Sequence, residues 1–116
     1  MKFACLVYAA PGSVSNLPAA EKAELDRASL AYDDELERRG QLVAASALQG
    51  VSTASTIRVR GGQTLVSDGP FAETREVLCG FVFIEAADMA EARSIAAGIP
   101  MARYGSIEVR AELDIG

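Results

Sequence analysis

The chain of 116 residues has no histidine and no tryptophan, and only two cysteines and four prolines. The missing histidine removes the commonest metal ligand, the usual general base, and the imidazole that activates a serine or cysteine nucleophile. Ser13, Ser15, Ser46 and Ser106 are therefore not expected to act as nucleophiles. Cys5 and Cys79 both lie in apolar, strand-like segments, where free thiols behave as small hydrophobes, and inert core thiols are expected. Eleven basic residues stand against sixteen acidic ones, a net charge of -5, and the Lys and Arg are not clustered. That pattern lacks the cations that release counterions from a phosphate backbone, so direct nucleic-acid binding is not expected. No apolar run is long enough to cross a bilayer, and no membrane association is expected. Lys2 to Tyr8 is short for the apolar region of a signal peptide and no small-residue cleavage site follows it, which implies a cytoplasmic location. The Asp and Glu spacing matches no calcium loop, and neither a metal nor a cofactor is expected.

What the chain does have is the material of one domain, with half of its residues hydrophobic. Lys2 to Tyr8 is apolar on both alternating faces and reads as a central strand. Pro11, Gly12, Ser13, Ser15 and Asn16 then form a loop. Pro18 suits a first helical position, and Leu25, Ala28, Tyr32 and Leu36 recur at helical spacing, which predicts an amphipathic helix from Pro18 to Arg39 closed by Gly40. Leu42 to Ala47 is a short strand, and Ser52 to Ser55 a connector. Thr56 to Arg60 and Gln63 to Ser67, joined by Gly61-Gly62, make a hairpin. Gly80 to Glu85 is a second central strand. Asp88 and Glu91 have capping-box spacing, followed by a helical face of Met89, Ala92, Ala96 and Ile99, with Met89 assigned to the core. Ser106 to Ala111 is the last strand, and Arg58 and Arg60 mark the hairpin as an edge that discourages pairing.

The order of elements is the split β-α-β pattern of an α+β, ferredoxin-like domain with an added hairpin. Two helices cover one face of such a sheet, yet both central strands are apolar on two faces. An uncovered greasy layer is more than a monomer normally exposes, so a homodimer packed sheet to sheet is expected.

The densest chemistry lies in Asp68-Gly69-Pro70-Phe71-Ala72-Glu73-Thr74-Arg75-Glu76. This segment, with Gly80-Phe81, Thr56 to Arg60, Leu42-Val43-Ala44 and Ile99 to Arg110, resembles the YCII-related proteins of the DGPF subgroup over nearly the whole chain. The resemblance implies a ferredoxin-like fold of the dimeric α/β-barrel type. It further implies a bacterial protein of largely unassigned activity, often encoded near extracytoplasmic-function sigma factors. The broader family is discussed as enzymes because of a His and Asp dyad, and superfamily relatives act on chlorinated aromatic rings. With no histidine, that dyad has no counterpart here. Where the subgroup usually carries two glycines before the aromatic strand, this chain reads Cys79-Gly80, which places a side chain where it would narrow a pocket or fill a core void.

Two readings fit each of these residues. Asp68, Gly69 and Pro70 make a structural turn that projects Phe71, or Asp68 lines a pocket mouth with Tyr8 and, with Glu76 or Glu73 nearby, serves in proton transfer. Glu73, Arg75 and Glu76 form a solvated helical turn, or one of these carboxylates meets Arg103 across a cleft or dimer seam. Arg103 and Tyr104 either hold an anionic or phenolic ligand or form an interfacial ion pair and a packed ring. The leading expectation is a homodimer that binds a small polar or aromatic molecule near Tyr8, Asp68, Phe71, Arg103 and Tyr104. One alternative is a lyase- or isomerase-type enzyme using Asp68 or Glu76. The other is an accessory partner of a sigma-factor-related regulator.

Overall fold

The computed structural model describes residues 1–116. In chain order the elements are β1 (Lys2–Ala9), α1 (Ala19–Arg38), β2 (Leu42–Ala47), a 3-10 turn (Val51–Thr53), β3 (Ser55–Arg60), β4 (Gln63–Asp68), β5 (Val77–Glu85), α2 (Met89–Ala97), a second 3-10 turn (Pro100–Arg103) and β6 (Ser106–Ala111). Four strands form one antiparallel sheet in the order β2-β5-β1-β6, and β3 pairs with β4 as a separate hairpin. This is the expected α+β, ferredoxin-like arrangement with an added hairpin, inserted between β2 and β5.

Alternation along β1 sorts its side chains. Phe3, Cys5, Val7 and Ala9 are buried, while Ala4, Leu6 and Tyr8 are half-buried. Phe3, Cys5 and Val7 join Val82 and Ile84 of β5, Leu36 of α1 and Ala92, Ile95 and Ala96 of α2 in one core. Phe3, Leu36 and Ile84 are wholly enclosed, and each such side chain contributes roughly 2 kcal/mol.

Local chemistry sets the element ends, with small departures from expectation. Pro18 is the N-cap rather than the first helical residue: its extended ψ of 147° keeps it outside α1, while its carbonyl accepts the first helical bond from the Lys22 amide. Gly40, at φ 72°, follows the C-cap Arg39. At α2 the Asp88 carboxylate accepts from the Glu91 amide at 2.9 Å, but the Glu91 carboxylate reaches back to the Ala87 amide, one residue before the cap. Strand β5 starts at Val77, ahead of the expected Gly80, because Leu78 and Val77 pair with Tyr8 and Ala9. Residues Glu73 to Glu76 are an irregular bend, not a helical turn, with Thr74 Oγ1 donating to the Glu76 carbonyl.

The second face of the sheet carries Ala4, Leu6 and Tyr8 of β1 opposite Phe83, Phe81 and Leu78 of β5. Phe81 and Phe83 meet edge to face with centroids 5.4 Å apart. No helix covers this face, and Leu78 and Phe83 are left 37% and 38% exposed. The hairpin does not fold back to cover it. The extents are 46 × 45 × 20 Å and the radius of gyration is 16.0 Å, against about 13 Å for a compact chain of this length.

Candidate functional site

The residues singled out in the sequence fall into three places. Tyr8 pairs with Ser106 across β1 and β6, and the Ser106 hydroxyl donates to the Glu76 carboxylate at 3.4 and 3.5 Å, so Tyr8, Ser106 and Glu76 gather at one end of the open sheet face. Tyr104 donates to Glu21 Oε1 at 3.3 Å, tying the second 3-10 turn to the first turn of α1, and the neighbouring Arg103 is exposed with no carboxylate within ion-pair distance.

Asp68 and Phe71 belong to the base of the hairpin. Asp68 pairs with Ser55, the Gly69 amide donates to the Ala54 carbonyl at 2.7 Å, and Thr56 Oγ1 donates to the Gly69 carbonyl at 2.8 Å. Gly69 holds φ 95°, a conformation that a side chain would oppose. Arg58 adds a longer bond, 3.4 Å, to the Phe71 carbonyl. These bonds clamp the turn to the hairpin and leave the Phe71 ring 75% exposed.

A cleft of about 980 Å³ opens elsewhere, between α1 and the sheet, and none of the six residues Tyr8, Asp68, Phe71, Glu76, Arg103 and Tyr104 lines it. Its floor is Val7 and Ala9 of β1 with Cys79, Gly80 and Val82 of β5. One end is the β1–α1 loop, a self-bonded turn in which the Asn16 amide donates to the Gly12 carbonyl and Ser13 Oγ to the Ala10 carbonyl. The outer wall runs from Ala45 through Ser52, just before Ala54, where the clamped turn is attached. The roof is α1, which buries only Leu25 and Leu36 and so leaves space beneath much of its length.

The roof presents Lys22, Asp26, Ser29 and Asp33 to the cleft at i, i+4, i+7 and i+11, one polar stripe along one side of the helix. Burial raises the Asp33 pKa above the ordinary carboxylate value, and the adjacent Asp34 charge adds to the rise. Sequence reasoning missed this stripe because polar residues at helical spacing read as a solvated face. Their signal was position on the side of α1 next to Leu25 and Tyr32. Cys79 also lines the cleft and packs on the core, so the side chain at this position both narrows the cleft and fills core space. The Cys79 thiol is pushed up by burial, partly offset by a backbone hydrogen bond at Ala9, and is raised slightly by Glu76. No three Cys, Asp or Glu side chains converge as metal ligands would.

The register explains how Cys79 comes to point inward. Val7 pairs with Gly80 but Tyr8 pairs with Leu78, so Cys79 is the extra residue of a β-bulge. Gly80 allows β2 to come close: a side chain there would stand 2.6 Å from the Ser46 carbonyl oxygen.

Comparison with known proteins agrees with this architecture. A model for the YCII-related domain matches residues 1–114. An uncharacterised protein of Rhizobium meliloti (strain 1021) is 42% identical over 73 residues, which is 61% of this chain and 59% of that protein, so the chain spans only about three-fifths of its relative's length. A solved structure of 5-chloro-2-hydroxyhydroquinone dehydrochlorinase from Burkholderia phenoliruptrix AC1100, in complex with 2,5-dihydroxybenzoquinone, superposes with a TM-score of 0.59. That match covers 97% of this chain and 94% of the other at 16% identity, a likeness of fold.

Proposed function

The chain belongs to the YCII-related family, and from that premise we propose that it works as a homodimer binding a small, largely apolar molecule bearing hydroxyl or carbonyl groups in the cleft beneath α1. The observation that carries this reading is the cleft itself: about 980 Å³, with an apolar floor and a roof that supplies a cation, two carboxylates and a hydroxyl in line. Such a site suits a flat ring held by its edges. The dehydrochlorinase of similar fold is bound to a molecule of this chemistry, which sets the first probe to try. Pairing is supported by the apolar layer of Leu6, Leu78, Phe81 and Phe83, which no part of the chain covers.

One observation favours a second reading, acid–base chemistry of the lyase or isomerase type. Asp33 faces the cleft and holds its proton more tightly than an exposed carboxyl, as a general acid must. Asp68 and Glu76 stand outside the cleft, so in this reading a substrate for either of them lies at the seam between copies.

The test is thermal unfolding with and without 2,5-dihydroxybenzoquinone and related phenols and quinones. A ligand that binds only the folded state raises the midpoint in proportion to its concentration. The expected result is a rise that Asp33→Asn or Ser29→Ala reduces. No rise with any ring compound, together with co-purification of a sigma-factor-related regulator, would overturn ligand binding in favour of an accessory role.

A further inference from the structure

We infer that the β3–β4 hairpin is an arm that lies against a second copy of this chain. The inference rests on the pairing proposed above and extends it to an element outside the sheet. Cross-strand register puts Ile57 opposite Val66 and Val59 opposite Thr64, so Ile57, Val59 and Val66 share one face of the arm. All three are more than half exposed, and an isolated two-stranded hairpin with an uncovered apolar face is only marginally stable in water.

Area and charge point to a second copy as the occupant. The open sheet face, four strands wide, offers a flat area of roughly 20 by 20 Å, about 400 Å², while a stable interface takes about 800 Å² from each partner. Two six-residue strands add about 200 Å², and Phe71 adds about 150 Å² more. The sheet face alone falls short, and the arm brings the total close to what pairing needs. Two bodies of net charge -5 also repel each other. From Ser55 to Ser67 the chain carries Arg58 and Arg60 and no carboxylate, so all sixteen acids lie elsewhere. An arm reaching the partner therefore places positive charge within a screening length of an acidic body.

Two measurements test the arm separately from the sheet. Sedimentation velocity at micromolar concentration compares the native chain with Ile57→Lys/Val66→Lys, whose folding is checked by circular dichroism. A photo-crosslinking residue at position 59 is irradiated in a mixture of ¹⁴N- and ¹⁵N-labelled chains, which distinguishes contacts between copies even if the double variant fails to fold. The expected result is a native dimer, pairing weakened by about tenfold or more in the variant, and light–heavy crosslinks from position 59. A native dimer with equal pairing in a folded variant, or crosslinks only within one chain, would overturn the arm and leave the sheet pairing standing. A native monomer without light–heavy crosslinks would remove both.

Discussion

The Tyr32 hydroxyl donates to the Ile95 carbonyl at 2.6 Å, joining α1 to α2 across the core, and Gly98 leaves the space in which the Tyr32 ring sits. A methyl group at position 98 would collide with the ring and its hydroxyl. Gly98→Ala is expected to destabilise the fold by about 2 kcal/mol, as overpacking does. Tyr32→Phe should cost less, about 0.5–1 kcal/mol, because the Ile95 carbonyl keeps the Gly98 amide as a partner. Urea unfolding checks both values, and the set of Gly98→Ala, Tyr32→Ala and Gly98→Ala/Tyr32→Ala measures the coupling. Additive effects would show that the two residues do not share space.

Asp33 provides a pH-dependent test. Its folded pKa lies above the ordinary carboxylate value, so the charged form opposes folding once the pH exceeds the unfolded pKa near 4. Asp33→Asn is therefore expected to stabilise the protein at pH 7, by no more than about 0.5 kcal/mol because solvent screens a half-exposed group. The gain should vanish below about pH 3, where the carboxyl is protonated in both states. Denaturant titrations at the two pH values check it, and a loss of stability at pH 7 would contradict the assignment.

The thiols should differ in accessibility. Cys5 is fully buried and burial pushes its pKa up to about 11, while Cys79 is half-buried at the cleft wall with its own pKa raised. Reaction with Ellman's reagent at pH 8 is expected to be slow at both, with Cys79 reacting first and Cys5 only on unfolding. A molecule held in the cleft should slow Cys79 further. Rapid labelling of Cys5 in the native state would argue against the core placement.

Gly80→Ala tests the cleft wall. The new methyl group would press on the Ser46 carbonyl and force β2 outward, at a cost of about 1–3 kcal/mol. Amide exchange should quicken along Ala45 to Ala47, which pair with this part of β5.

The architecture was nearly all legible in residue patterns. The two-sided β1, the apolar recurrence of Leu25, Tyr32 and Leu36, and the turn at Gly61-Gly62 each specify an element locally. The candidate site was not legible, for two physical reasons. Lys22, Asp26, Ser29 and Asp33 have the same spacing whether water or a cleft lies beneath them, since periodicity reports which residues share a side and not what that side faces. The bulge at Cys79 leaves no mark in composition: the family resemblance set a side chain against a pocket or core void there, but the inward turn that brings it to the cleft follows only from the pairing register. Asp68 to Phe71 was conspicuous for another reason. The segment fastens the hairpin base through Ala54 and Thr56, and stringent backbone geometry leaves as clear a trace as chemistry does.

The supernumerary residue in β5 acts as a parity switch. In a pleated ribbon the sides alternate, so one added position exchanges inner and outer for everything before it, which sends Val77 into the cavity and Leu78 to the outer layer. Deleting Cys79 alone would restore plain alternation and keep both on the sides they now occupy, whereas pairing Cys79 regularly with Tyr8, at unchanged length, would turn both inside out.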